Sequence, residues 1–427
     1  MAVYNIRCSY EENLAKGPNL ALEDLPFTLV GQPRYEFWGK KLNSRLGIPA
    51  GLLLDSRWVR LYARLGFDIL AYKTVRTRPQ PSLPHPNCLL VAAALPCSPK
   101  AIPESLTVSQ RYRPVTEISM TNSLGMPSQT PEVWQPDLVR SKESLLPGQM
   151  LIVSVVGTAE DNQPARFIQD FVRAAALAAE AGAEVIELNF SCPNAPVAEG
   201  QIYEAPEFAG QITKAVRQQV KELPLLIKIG YLAEDHRLAR LLAAVRDDIN
   251  GIVAINSLKL TVLDQQGRQA LPGAGRSQSG VSGYALKELA RDFIRRLVEL
   301  KQKERYDFKI LAAGGILTPG DFEDFLNLGA EAALTCTGAM WDPYLALRYH
   351  LEYSLPSPDP GPLMTLDFRE IGLPSQIDED IKIEHRRGDN EILYPPTMKI
   401  CPICGEPLDQ IPPAAPRYCR CRLMPDC

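Results

Sequence analysis

Short runs of consecutive apolar residues alternate with longer segments in which apolar positions recur at helical spacing, from about residue 47 to 350. The short runs predict strands at Gly47–Gly51, Asp68–Thr74, Leu151–Gly157, Glu184–Asn189, Leu225–Ile229, Gly251–Asn256, Lys309–Ala313 and Ala332–Cys336. Unbroken apolar runs of four to eight residues are what strands buried on both faces require. Between them, Phe167, Ile168, Phe171, Val172 and Ala175 place one apolar stripe on a helix over Arg166–Ala181. Phe208–Leu223, Asp235–Val245, Tyr284–Leu300 and Asp321–Leu328 repeat the pattern. Strands alternating with helices predict a parallel sheet with helical crossovers. A count of eight favours an α/β fold of the (β/α)8 barrel type over an open, doubly wound sheet.

Three stretches break the rhythm. Thr77–Pro114 is dense in proline and reads as a long loop between strands 2 and 3, of the kind that serves as lid, binding loop or partner contact. Residues 355–398 are proline-rich and charged, without a period, and read as a linker or wrapping arm. Residues 399–427 hold five of the ten cysteines. The expected organisation is an N-terminal segment 1–46, a barrel over 47–354 with the insertion 77–114, the linker 355–398, and a cysteine-rich tail.

Composition narrows the function classes. The 427 residues are 45% hydrophobic, with a net charge of -4. No basic footprint marks a nucleic-acid surface. No run approaches the ~20 apolar residues that span a bilayer, and Met1–Arg7 has no secretory pattern. The expectation is a cytoplasmic protein with no membrane partner.

In a barrel, side chains at the C-terminal strand ends converge on one mouth. Polar residues fall there repeatedly: Lys73 and Thr74 after strand 2, Asn189 and Cys192 after strand 4, Lys228 within strand 5, Asn256 and Ser257 after strand 6. A lysine inside the apolar run Leu225–Ile229 is costly unless paired or functional. Gly314-Gly315 and Thr337-Gly338 follow strands 7 and 8, where this fold usually binds phosphate, and Gly280–Gly283 before the next helix reads as a further cluster of amide donors. Together these make a flavin mononucleotide (FMN) site plausible. Asn189-Phe190-Ser191-Cys192-Pro193-Asn194 sets a cysteine between two asparagines at a strand end. Nearby lysines favour the thiolate, the form able to act as a base; the alternative is a small buried hydrophobe.

These motifs, in this order, resemble class 1 dihydroorotate dehydrogenases and the related pyrimidine-reducing domain of dihydropyrimidine dehydrogenases, over about residues 47 to 350. Thr121-Asn122-Ser123-Leu124-Gly125-Met126-Pro127 resembles the family's substrate loop. The resemblance implies FMN held by Ala50, Gly51, Lys73, Thr74, Asn189, Lys228, Gly280, Gly283, Gly314, Gly315, Thr337 and Gly338. It implies a small pyrimidine substrate held by Asn122, Leu124, Gly125, Met126, Asn189, Asn194, Asn256 and Ser257, with Cys192 as base and Lys73 and Lys228 in catalysis. The implied reaction removes the C5 proton of dihydroorotate and passes a hydride to the flavin, in a homo-oligomer whose electron acceptor (fumarate, nicotinamide or a partner protein) stays open. Asn194, and a loop Ala195–Glu207 without cysteine, favour orotate chemistry over a dihydropyrimidine dehydrogenase-like reduction. A tRNA-dihydrouridine synthase is similar in its Asn-x-x-Cys-Pro loop, and a degenerate barrel with an adaptor tail is the non-enzyme alternative.

In the tail, Cys401-Pro402-Ile403-Cys404-Gly405 is similar to one knuckle of a zinc ribbon, and Cys419, Cys421 and Cys427 supply further thiols. Structural zinc is the expectation, ahead of free thiols or an iron–sulfur centre.

Overall fold

The computed structural model describes residues 2–22, 29–93, 96–109, 114–158, 163–191, 201–354 and 364–366. Eight parallel strands close a barrel: β1 (Leu46–Leu53), β2 (Ile69–Val75), β3 (Met150–Val155), β4 (Val185–Asn189), β5 (Leu225–Ile229), β6 (Gly251–Ala254), β7 (Lys309–Ala313) and β8 (Ala332–Leu334). Each pairs with its sequence neighbour, and β8 closes on β1 through Ala333↔Leu46 and Leu334↔Gly47. The open doubly wound sheet is thereby ruled out. All seven residues of β2 and all six of β3 are buried, as their unbroken apolar runs require.

The outer helices follow from local signals. Helix α1 (Ser56–Arg64) starts at Asp55, whose carboxylate accepts from the Arg57 and Trp58 amides. Helices α2 (Pro131–Glu143), α3 (Pro164–Glu180) and α4 (Pro206–Val220) each open on a proline, where the missing N–H is no loss. Helix α3 buries Phe167, Phe171 and Ala175 of the predicted stripe together with Ala174 and Ala178, while Ile168 and Val172 are half-buried at its edge. Helices α5 (Asp235–Val245), α6 (Lys287–Glu304) and α7 (Pro319–Asn327) complete the set, α7 with a capping box between Thr318 and Asp321.

The barrel interior is apolar toward the N-terminal ends of the strands, where Ile69, Met150, Val185, Leu226, Val253 and Leu311 meet. The hairpin of Tyr35–Phe37 and Lys40–Leu42 plugs that end, packing Phe37 and Leu42 against this layer. Higher up the interior turns polar: Lys73, Ser154, Glu187, Asn189 and Lys228 are all buried.

Two expectations are corrected. The Thr77–Pro114 stretch is not structureless. Its Ser105–Thr107 is the edge strand of a four-stranded sheet completed by Leu258–Leu263, Gln278–Gly283 and Ser119–Thr121. Gly280–Gly283 ends a strand of that sheet, and Gly283 is also the N-cap of the 3-10 turn Tyr284–Leu286 that leads into α6. Within the expected linker, Met364–Leu366 pairs antiparallel with Leu29–Gly31, so this part of the chain returns to the N-terminal segment. The tail cysteines Cys401, Cys404, Cys419, Cys421 and Cys427 lie outside the described residues. Among those described, no group of three or more His, Cys, Asp or Glu is placed to hold a metal ion, and no helix is long and apolar enough to cross a membrane.

Candidate active site

The C-terminal ends of the strands surround one cleft with about 1200 Å³ of atom-free space, its open mouth included. From the predicted set, Ala50, Gly51, Lys73, Thr74, Asn189, Lys228, Asn256, Ser257, Gly314, Gly315 and Thr337 line it, as do Gly283 and Asn122, Leu124, Gly125 and Met126 of the substrate loop. Cys192 and Asn194 lie outside the described residues; Ser191, the last described residue before them, lines the cleft.

Two predicted contacts do not reach the cleft. Gly280 sits in the four-stranded sheet, where its carbonyl accepts from the Asn122 amide at 3.0 Å and so ties down the loop that begins there. Gly338 packs against the loop after β7: a Cβ there would stand 2.5 Å from the Ile316 carbonyl, so glycine answers a close approach.

Strand geometry sets the polar groups. Lys228 is buried, and its ammonium donates to the Ala50 carbonyl at 2.9 Å. Lys73 is buried too; its Nζ donates to Pro127 O at 3.4 Å and stands 5.9 Å from the centre of the Tyr10 ring. Asn189 donates through Nδ2 to Thr74 Oγ1 at 3.1 Å, and its Oδ1 accepts from the Ser191 amide at 3.2 Å. Asn256 donates to the Ser191 carbonyl and accepts from the Ser257 amide at 2.9 Å. Both asparagines therefore hold the backbone on which the 192–194 segment begins. At the opposite end Thr337 donates to Ser282 at 3.1 Å, beside Gly283, Gly314 and Gly315. The cleft thus offers an apolar floor, two lysines, amides along one edge, and a glycine- and hydroxyl-rich end. That donor set fits a flat heteroaromatic group carrying a phosphate.

Sequence reasoning missed several lining residues: Tyr4, Cys88 and Cys336 among them. Tyr4 belongs to the N-terminal segment, held by Val3 N→Met340 O at 3.0 Å, and nothing local marks it. Cys336 follows β8, with its thiol pushed up to about 11 by burial against the opposing pull of Lys228. Burial likewise pushes the Cys88 thiol up to about 12, so both stay protonated and unreactive near neutrality.

The long insertion also has a role here. Residues 80–91 run alongside 119–128: Gln80 and Ser128 exchange backbone bonds at 2.9 Å, Leu83 N→Leu124 O is 3.0 Å, Ser123 N→Asn87 O is 2.9 Å and Val91 N→Ser119 O is 3.0 Å. Two buried arginines grip the same loop. Arg276 donates to Ser123 Oγ and O at 3.2 and 3.1 Å, and to the carbonyls of Pro84, Pro86 and Pro272 at 2.6, 3.2 and 2.7 Å. Arg76 donates to Met126 O at 3.3 Å and Gly157 O at 3.1 Å. The loop needs such support, because Gly125 and Met126 both have positive φ, 79° and 52°.

Comparison with known proteins agrees with this geometry. The family model described as dihydroorotate dehydrogenase matches residues 111–349. A dihydroorotate dehydrogenase of Dictyostelium discoideum is 35% identical over 360 residues, covering 82% of this chain and 96% of that protein. The NAD-dependent dihydropyrimidine dehydrogenase subunit PreA of Escherichia coli is 35% identical over 212 residues, 48% of this chain and 47% of its own. A dihydroorotate dehydrogenase (quinone) of Thermus thermophilus is 27% identical over 310 residues, 72% and 78% of the two chains. With a match of this length reaching nearly from end to end of the Dictyostelium enzyme, the chain belongs to the dihydroorotate dehydrogenase family.

Proposed function

We propose that this protein oxidises dihydroorotate to orotate in pyrimidine biosynthesis, with FMN bound in the cleft. The observation that carries the reading is the joining of Lys73, Asn122, Asn189, Lys228, Asn256 and Ser257, from five separate parts of the chain, around one cavity. Gly283, Gly314, Gly315, Ser282 and Thr337 would hold the phosphate, and Ala50, Gly51 and Lys228 the ring. Bound there, the flavin supplies the hydride acceptor.

The chain's own residues do the rest. Asn122, Asn189 and Asn256 orient the pyrimidine through amide pairs, and Asn194 joins them from beyond Ser191. The braced loop of Asn122, Leu124, Gly125 and Met126 closes over the ring and excludes water. The Cys192 thiolate takes the C5 proton; lysines at the same mouth favour its ionised form. The Lys228 ammonium stabilises negative charge that develops beside it, and Lys73 spans the two ligands.

Anaerobic mixing with dihydroorotate tests the reading. Yellow protein bleaches with dihydroorotate and stays oxidised with dihydrouracil; bleaching by dihydrouracil alone moves the substrate to the reduced pyrimidines on which PreA acts. Cys192→Ala keeps orotate binding and loses bleaching. Reoxidation by fumarate, NAD or a partner protein identifies the acceptor, and light scattering tests the homo-oligomer. The tail, residues 399–427, is proposed as a separate zinc ribbon on a 355–398 linker. Metal analysis of the wild type and of Cys401→Ser checks it: one zinc, lost in the variant.

A further inference from the structure

Glu187 is the least explained charge in the barrel. It is fully buried in β4, and neither carboxylate oxygen meets a hydrogen-bond donor at bonding distance among the described residues. A carboxyl in such a place is costly unless a compensating charge faces it. Two neighbours answer. Leu226 of β5 pairs with Glu187 and Lys228 pairs with Asn189, which puts Lys228 one step higher on the same inward face. On the other side Ser154 of β3 pairs with Glu187. Burial raises the Glu187 pKa, and the Lys228 charge and the Ser154 hydroxyl pull against it, toward the ionised form.

The hydrogen bonds above run in one direction. Asn189 Nδ2 donates to Thr74 Oγ1, and Thr74 donates to Ser154 Oγ at 3.1 Å. The Ser154 hydroxyl proton is thereby left free to turn toward Glu187, whose pKa the Ser154 hydroxyl lowers. Asn189, Thr74 and Lys228 all line the cleft, whereas Glu187 does not.

We propose that Glu187 is a positioning residue: an ionised carboxylate beneath the active site that anchors the Lys228 ammonium from below and, through Ser154 and Thr74, orients the Asn189 amide. This rests on the flavin reading above for what Lys228 faces. Its partial cancellation of the Lys228 charge also sets how strongly the site favours a reduced, anionic flavin.

A double-mutant cycle of Glu187→Gln and Lys228→Met tests it with two readouts. In the flavin-free protein, Lys228→Met lowers the melting temperature by stranding the carboxylate, and adding Glu187→Gln restores part of the loss. In the flavin-loaded protein, Glu187→Gln raises the midpoint potential when Lys228 is present and leaves it unmoved in the Lys228→Met background. Additive melting shifts, or the same potential shift in both backgrounds, overturn the proposal. Should Glu187→Gln alone not fold, the pairing requires that the double variant does; failure of both to fold also overturns it. A protein that binds no flavin defeats the functional reading, while the melting cycle still decides the pairing.

Discussion

Replacing Arg276 by methionine tests whether the substrate loop is braced from outside the barrel. The guanidinium reaches four carbonyls and one hydroxyl across three loops. Two of those carbonyls keep another donor, because Asn87 Nδ2 still reaches Ser123 O at 2.8 Å and Pro84 O at 3.4 Å. The carbonyls of Pro86 and Pro272 lose the guanidinium. Both bonds are only part-buried, so each carbonyl costs near the low end of the roughly 1–3 kcal/mol of a buried polar group left unpaired, about 2–3 kcal/mol together. Methionine removes a cation whose burial is itself unfavourable, which shows in the lowered pKa of Arg276. A net local cost of at most about 2–3 kcal/mol follows. If that cost falls on ordering the 122–127 loop, orotate affinity drops by up to roughly 30- to 140-fold. Flavin affinity changes less than about threefold, well under 1 kcal/mol by the same conversion, since Arg276 is not among the residues lining the cleft. Perturbation of the flavin spectrum, titrated with orotate, reads the first quantity; fluorescence recovery of released flavin reads the second. Unchanged orotate affinity, or equal loss of both ligands, refutes the brace. Arg276→Lys recovers only part, because one ammonium cannot span three loops.

Other perturbations have defined outcomes. Gly315→Ala puts a Cβ 2.4 Å from the Lys287 Cα at a φ of 75°, so flavin retention through gel filtration falls at least tenfold; full retention counts against that loop as a phosphate grip. Tyr4 has a buried hydroxyl with no partner among the described residues, so Tyr4→Phe leaves stability unchanged or raises it by about 1 kcal/mol in urea melts. Burial pushes the Asp68 carboxyl up to about 6 and the His350 imidazole down to about 4. Asp68 ionises first in the unfolded chain, so its contribution falls as pH rises from about 4 to about 6; His350 protonates first in the unfolded chain, so its contribution falls as pH drops over nearly the same range. At ~1.36 kcal/mol per pKa unit each is worth about 3 kcal/mol, and they oppose. Asp68→Asn therefore becomes less stable between pH 6 and 4, relative to the wild type, and urea midpoints that move in parallel for the two proteins contradict this.

The barrel was legible because its strands are buried on both faces. Ile69–Val75 and Leu225–Ile229 announce themselves as apolar runs interrupted by residues that line the cleft, Lys73, Thr74 and Lys228. Helix α5 begins and ends where its spacing predicts, at Asp235 and Val245. The four-stranded sheet at the mouth left no such trace. Ser105–Thr107 and Ser119–Thr121 have three residues each, and their partners lie more than a hundred residues away at Leu258–Leu263 and Gln278–Gly283. A ladder between such distant short segments is set by the tertiary fold and not by local propensity, and two glycines make Gln278–Gly283 look like a turn.

For the site, what the sequence conveys is the set of residues and not what holds them. Lysines and asparagines at strand ends stand out because each breaks an apolar pattern. Arg76 and Arg276 break none: they lie in polar, proline-rich surroundings where arginine is normally solvated, yet both are buried against backbone carbonyls. Glu187 did carry a signal, since an acid inside Val185–Asn189 is as anomalous as Lys228 inside its own strand. The two anomalies are one feature once register is known, because parallel pairing puts Lys228 one step above Glu187 on the inward face of the adjacent strand. An apolar run tolerates one buried charge when the adjacent strand supplies its opposite. The chemistry at the mouth therefore depends on a layer beneath it, and substitutions that leave every cleft-lining residue intact can still alter how the cleft handles charge.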